Sequence, residues 1–302
     1  MNLLLTGAFN YSQEQRDELA RLGYRLWMMQ HETGELPLDE SEVDAVVCNG
    51  LFLHHDIGKF TNLRLIQLTS AGLDRVPVET IRARGIVLHN ARGVYSVPMA
   101  EWAVCKVLDF YKQSQFFRDN QLDGRWEKHR SLRELAGKRL AIIGAGNIGQ
   151  EVARRFSSFG VHVTGFDIHT RPVPFFHEMD LTERLRRRIP EFDIVVITAP
   201  LLPETTHLLD RDMLSRLREG AVLVNISRGA LIDEGALKEV AHEREDVSFA
   251  LDVFEAEPLP PDDPLWTCGN VVLSPHNSFV SDGNGGRMFG VIYNNLKMFI
   301  SE

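Results

Sequence analysis

Three side chains, far apart in the sequence, carry the chemistry that stands out most: Arg228 in NISRGALID, Glu257 in ALDVFEAEP and His276 in NVVLSPHNS. An arginine offers a planar fork of N–H donors that can hold a carboxylate and polarise a ketone beside it. A histidine can give or take a proton near neutral pH, and a carboxylate next to it favours the imidazolium. Together these types suit hydride reduction of a 2-oxo acid, in which a cation holds the substrate and an acid protonates the developing alkoxide. Each follows an apolar run that reads as a strand. In an open α/β sheet the C-terminal strand ends border the ligand crevice, so residues distant in sequence can meet there.

A second set reads as a phosphate cradle. Gly144, Gly146 and Gly149 form G-x-G-x-x-G directly after an apolar run and at the head of an amphipathic stretch, the context that gives the pattern meaning. The first glycine permits the tight turn, the second lets the backbone approach a pyrophosphate, and the third lets helix and strand pack closely. The helix N-terminus then presents N–H groups and a positive dipole end to phosphate. An acidic residue is expected about 20 positions on, at the end of the next strand, and Asp167 stands there. Its carboxylate can accept from a ribose hydroxyl and repels a 2′-phosphate, so NAD is the expected cofactor. Arg171 leaves NADP open.

The elements that must position these groups alternate between strand and helix. Strand patterns fall at 3–5, 24–28, 44–47, 65–68 and 86–89, with helical stretches at 12–22 and 77–84. One long helix is expected over 97–120, where Met99, Ala103, Val107, Phe110 and Phe117 recur at helical spacing. A second series places six strands at 139–143, 162–166, 194–199, 221–226, 249–251 and 271–273, and a final helix at 288–300. This pattern predicts an α/β protein with parallel sheets covered on both faces.

With these motifs in order, the chain resembles the D-isomer-specific 2-hydroxyacid dehydrogenases over nearly its whole length. The resemblance is carried by GAGNIG, Asp167, the TAP…LP…T…T pattern from Thr198 to Thr206, NISRGALID, LDVFEAEP and SPH. It implies two doubly wound parallel-sheet domains with a cleft between them. Residues 1–96 with 280–302 would form a flavodoxin-like substrate domain, and 97–279 a Rossmann NAD-binding domain. It implies Arg228 as substrate clamp and carbonyl polariser, His276 as acid in reduction and base in oxidation, and Glu257 as the partner that tunes the histidine. The implied cofactor lining is the fingerprint (Gly144, Gly146, Asn147, Ile148, Gly149) with Asp167, then Ala199, Pro200 and Thr205, then Ile226, Ser227, Arg228, Asp252 and His276. Asp252 would lie near the nicotinamide amide. The stretch SAGLD at 70–74 resembles the family's substrate loop, where backbone N–H groups of Ala71, Gly72 and Leu73 would bind a carboxylate. The substrate implied is a small 2-oxo or 2-hydroxy acid of D configuration, and the assembly a homodimer formed through the cofactor domain. Pro98 and Trp102 in VPMAEWAV, and the polar NSFVSDGNGG after His276, depart from the usual pattern and bear on substrate identity.

The 302 residues carry a net charge of −9, which argues against nucleic acid or an acidic membrane surface as partner. The basic run RLRRR at 184–188 reads as a solvated helix face. Cys48, Cys105 and Cys268 show neither metal-ligand spacing nor a disulfide framework, so reduced thiols and a cytoplasmic location are expected. The start MNLLLTGAF does not read as a signal peptide, and no apolar run approaches the ~18 residues of a membrane span. His54, His55 and Asp56 lack a further ligand and read as a loop, so no metal is expected. Phe116, Phe117 and Trp126 read as packing residues at a domain or subunit interface, and Arg92 as a further substrate candidate. Two other readings stay open at this point: a non-catalytic NAD-sensing or corepressor-like protein, and oxidation of phosphite or formate on the same fold.

Overall fold

The computed structural model describes residues 1–301. The chain forms two units: Met1–Tyr95 with the C-terminal segment from Ser281, and Ser96–Val280. The first holds β1 (Asn2–Thr6), α1 (Gln13–Arg21), β2 (Arg25–Met29), β3 (Ala45–Cys48), β4 (Leu65–Leu68), α2 (Val78–Ala83) and β5 (Val87–His89). Its strands are all parallel, in the order β2-β1-β3-β4-β5, the flavodoxin-like order. The strands read as continuous apolar runs because both faces are covered. Leu3, Leu5, Val47 and Leu65 pack into one core with Met288, Ile292 and Leu296. Leu4, Val46, Ile66 and Leu68 alternate into the other, with Leu51, Phe60 and Ile81. The Ser12 hydroxyl accepts from Gln15 N while the Gln15 side chain accepts from Ser12 N, a capping box that starts α1.

The second unit holds α3 (Ser96–Tyr111), α4 (Ser114–Leu122), β6 (Arg139–Ile143), α5 (Asn147–Ser157), β7 (His162–Asp167), β8 (Glu178–Leu181), α6 (Leu185–Arg188), β9 (Ile194–Ile197), α7 (Arg211–Ser215), β10 (Val222–Asn225), α8 (Glu234–Glu243), β11 (Ser248–Leu251) and β12 (Val271–Leu273). Its strands are parallel in the order β12-β11-β10-β9-β6-β7-β8. The order reverses between β6 and β9, which is where a doubly wound sheet opens its ligand crevice. Ala141, Ile143, Val195, Ile197, Leu223 and Phe249 meet Met213, Leu214, Leu237 and Val240 in one core. α3 packs against α5, burying Ala100, Ala103 and Val107 on one and Val152, Ala153 and Phe156 on the other. The last helix of the chain, α9 (Asn284–Ser301), belongs to the first unit. Tyr24 Oη donates to Leu296 O at 2.8 Å and Asn295 Nδ2 to Gln67 Oε1 at 2.6 Å, fastening it there.

Two expectations are corrected. The long helix over 97–120 is two helices, because Gln113 takes a left-handed φ of 54°. Its N–H and its side-chain amide both donate to Phe110 O and close α3. The second sheet has seven strands rather than six. The addition, β8, has the sequence EMDL, and its acidic residues hide it from a search for apolar runs. Arg188 donates to Glu178 at 2.6 Å, to Asp180 at 2.9 Å and to Glu191 at 3.1 Å, while Arg186 meets Asp210 and Asp212. Arg184, Arg186 and Arg188 of the basic run are thus ion-paired within their own unit. No described helix is long and apolar enough to cross a membrane.

Candidate active site

The fingerprint forms the turn between β6 and α5. Gly144 has φ 97°, and a Cβ there would lie 2.7 Å from Ala199 N. A Cβ on Gly149 would lie 2.1 Å from Gly144 O, so helix and turn pack backbone to backbone. At Gly146, by contrast, an added Cβ would meet nothing within 4 Å, and no side chain caps the N-terminus of α5. Open space at an uncapped helix N-terminus fits a pyrophosphate, so the residues present fit a dinucleotide. Asn147 and Ile148 form the first turn of that helix. Asp167 ends β7. One carboxylate oxygen accepts from Ala145 N at 2.8 Å and the other from Ile168 N at 2.7 Å, which ties the acidic residue to the glycine turn.

The segment after β9 faces the same sheet edge. Thr198 Oγ1 donates to Gly144 O at 2.6 Å. Thr205 Oγ1 donates to Pro200 O at 2.7 Å and accepts from Leu202 N at 2.8 Å, shaping the exposed turn at 200–205. Ala199 and Ile226 are buried, and the Ser227 hydroxyl donates to Ala199 O.

All strands of this sheet are parallel, so the segments following β10, β11 and β12 leave from one edge. These carry the three reacting candidates. Arg228 is half-buried, in extended backbone, with Nη1 donating to Ser227 O at 2.8 Å. The buried Asn225 side chain builds its turn by donating to Arg228 O and accepting from Ser227 N. Glu257 Oε1 accepts from Phe254 N at 3.1 Å, and its Oε2 lies 2.9 Å from His276 Nδ1. Nδ1 thereby acts as the donor toward the carboxylate, and Nε2 is the nitrogen left for proton exchange. His276 has φ 51°, with its N–H donating to Asp252 O at 2.8 Å. The Phe279 ring meets the imidazole edge to face at 5.9 Å.

Asp252 is 0% exposed. Its carboxylate accepts from the Ser274 hydroxyl, from Asn277 N at 2.8 Å and from Ser278 N at 3.0 Å. Its side chain is committed to the loop that carries His276. The sequence did not show this duty, nor those of Asn225 and Phe279, because each rests on a contact made only in the fold. In the first unit, Ala71, Gly72 and Leu73 form an exposed turn after β4. Asn90 Nδ2 donates to Ala71 O at 2.6 Å and Ser70 Oγ to Gly72 O at 3.0 Å. Arg92 N donates to Asn90 Oδ1 at 3.2 Å. His55 lies 3.0 Å from Glu32 O, and among the described residues no cluster of three potential metal ligands occurs.

A glycine turn that fits a dinucleotide, with an arginine and a hydrogen-bonded Glu and His pair on segments leaving the same sheet edge, makes up the candidate site. The pattern described as "D-isomer specific 2-hydroxyacid dehydrogenase, NAD binding domain" matches residues 104–278. D-3-phosphoglycerate dehydrogenase of Methanocaldococcus jannaschii is 34% identical over 76% of this chain, which spans 44% of that protein. Glyoxylate reductase of Korarchaeum cryptofilum is 33% identical over 78% of this chain and 73% of its own length. A crystal structure of a D-isomer specific 2-hydroxyacid dehydrogenase from Xanthobacter autotrophicus, in complex with NADPH and MES, superimposes with a TM-score of 0.79 at 25% identity, over 99% of this chain and 95% of that one. The chain belongs to the D-isomer-specific 2-hydroxyacid dehydrogenase family.

Proposed function

We propose that the chain reduces a small 2-oxo acid to its D-2-hydroxy acid, and runs the reverse oxidation, with Arg228, Glu257 and His276 as the reacting set. The observation that carries this is the 2.9 Å hydrogen bond between Glu257 and His276 Nδ1, on the sheet edge that also bears the glycine turn and Arg228. Bound NAD(P)H supplies the hydride. The Arg228 guanidinium holds the substrate carboxylate and draws electron density from the ketone. As C2 takes the hydride, His276 Nε2 gives its proton to the carbonyl oxygen, yielding the 2-hydroxy acid; in oxidation the same nitrogen takes that proton back. Glu257 fixes the ring and balances the imidazolium. Backbone N–H groups of Ala71, Gly72 and Leu73 are proposed as further carboxylate donors. Asp167, at the end of β7, supports NAD over NADP, since a carboxylate there would accept from a ribose hydroxyl and repel a 2′-phosphate.

The test is turnover of a panel of 2-oxo acids, glyoxylate and hydroxypyruvate among them, with NADH and with NADPH. The reading expects turnover that His276→Ala abolishes while NADH still binds. Full turnover by that variant refutes the assigned role, and better kcat/KM with NADPH refutes the NAD preference. The relatives described above are dehydrogenases and reductases by name, which favours the catalytic reading over the non-catalytic one.

A homodimer through this second unit is also proposed. The stretch after α4 has no regular structure and presents Trp126 at 98% exposure, beside Leu122 at 68%. Apolar surface of this kind suits a second copy of the chain. Trp126→Ser should shift the mass in solution from dimer to monomer. The three unbridged cysteines support a reducing, cytoplasmic setting, which cell fractionation would test.

A further inference from the structure

Outside the reacting set, one residue touches the loops of both Arg228 and Glu257. His207 lies between β9 and α7 with a left-handed φ of 51°, a region that non-glycine residues seldom occupy. Its backbone N–H donates to Ala230 O at 2.8 Å, two residues after Arg228. Its imidazole Nε2 lies 2.9 Å from Glu255 Oε1, two residues before Glu257. Neighbouring bonds keep the three segments in register. Leu209 N donates to Leu231 O at 3.0 Å, and Glu255 N donates to Glu234 Oε2 at 2.8 Å. Glu255 Oε1 also accepts from Glu234 N at 3.3 Å, at the start of α8.

The two loops meet directly as well: a Cβ on Gly229 would fall 2.3 Å from Glu255 N. Small displacements of the Glu255 segment therefore pass to both Arg228 and Glu257. The side chains of His207 and Glu255 are 46% and 37% exposed. A side-chain contact so open to water adds little to stability, so what it contributes is position.

We infer that His207 and Glu255 form a positioning pair that sets Glu257, and through it His276, relative to Arg228. The inference rests on the dehydrogenase reading above. Neither residue touches the reacting atoms. Their effect falls on kcat, because the distance between cation and proton donor matters most in the transition state.

The experiment compares His207→Phe, His207→Gln, Glu255→Ala and the double variant His207→Phe/Glu255→Ala, each checked for folding by circular dichroism. Readouts are kcat, KM for the best 2-oxo acid of the panel, the Kd for NADH and the Tm. His207→Phe is expected to lower kcat about 10-fold, within the ~100-fold reach of a misplacement of about 1 Å. KM, NADH affinity and Tm should stay close to wild type. His207→Gln keeps an N–H donor where Nε2 stood and should restore most of the rate. The double variant should fall no further than the worse single one, since both break one interaction. Equal kcat in wild type and His207→Phe, or additive losses in the double variant, would overturn the inference. Losses that track Tm and are not rescued by glutamine would overturn it as well, by showing a merely structural role. A wild-type chain that turns over no 2-oxo acid overturns the dehydrogenase reading, and this inference with it.

Discussion

Gly229 is the position where one methyl group tests the geometry of the site most sharply. Its Cβ would stand 1.9 Å from Phe254 C, 2.2 Å from Phe254 O and 2.3 Å from Glu255 N. Carbon atoms in contact sit about 3.5–4.0 Å apart, so Gly229→Ala must push the two loops apart by roughly 1.5 Å. No flexible side chain can yield, because all three obstacles are backbone. Overpacking of this kind costs about 1–3 kcal/mol, and at ~2–4 °C per kcal/mol for a unit of this size the Tm should drop by roughly 2–12 °C. The larger consequence is catalytic. Arg228 precedes the glycine and Glu257 lies on the opposing segment, so the widening separates cation from proton donor. A displacement of about 1 Å can cost ~100-fold in rate, and kcat for 2-oxo acid reduction should fall by that order in folded protein. The assay is NADH oxidation at saturating substrate, beside a thermal melt. Gly290→Ala in α9 is the control. A Cβ there meets nothing within 4 Å, and alanine should be neutral or stabilising by up to ~1 kcal/mol in a helix. A folded Gly229→Ala with wild-type kcat would refute the reasoning.

Three further outcomes follow from the geometry. Asp252→Ala should lower both stability and kcat, because the Ser278 N–H and its neighbours lose their acceptor at about 1–3 kcal/mol for each buried donor; melts and initial rates check this. Hydrogen bonds from Arg188 hold Glu178 and Glu191 below the usual carboxylate range. A depressed pKa gives stability that is present above the unfolded-state value and lost as pH falls through the folded one. The Tm gap between wild type and Arg188→Leu should therefore be widest near neutral pH and narrow as the pH falls below the ordinary glutamate range. Burial, and then the charge of Glu32, push the Cys48 thiol up, so a thiol reagent should reach it only on unfolding, as mass spectrometry of labelled peptides would show.

What the sequence made legible was mostly local. The glycine turn could be read because part of its demand is local: Gly144 takes a positive φ and Gly149 packs on Gly144 O, while the crowding of Gly144 by Ala199 exists only in the fold. Strands buried on both faces announced themselves as apolar runs. β8 did not, because its Glu178 and Asp180, both paired with Arg188, interrupt the apolar run. The break between α3 and α4 carries no glycine or proline, so periodicity ran straight through Gln113. At the site, residue types suggested Arg228, Glu257 and His276, but nothing local revealed what steadies them. Asp252 reaches partners 22 to 26 residues on, and His207 one 48 residues on. Such contacts exist only once the parallel strands are in register.

The first unit is assembled from the two ends of the chain, and this has a consequence during synthesis. β1 to β5 emerge from the ribosome first, the whole of Ser96–Val280 follows, and α9 comes last. Until Met288, Ile292 and Leu296 arrive, Leu3, Leu5, Val47 and Leu65 lack the helix that shares their core. The contiguous second unit has all of its strands once Leu273 is made, before α9 begins at Asn284. The unit begun before the other is therefore completed after it, and its waiting sheet is an apolar surface that a nascent chain would need to protect from aggregation.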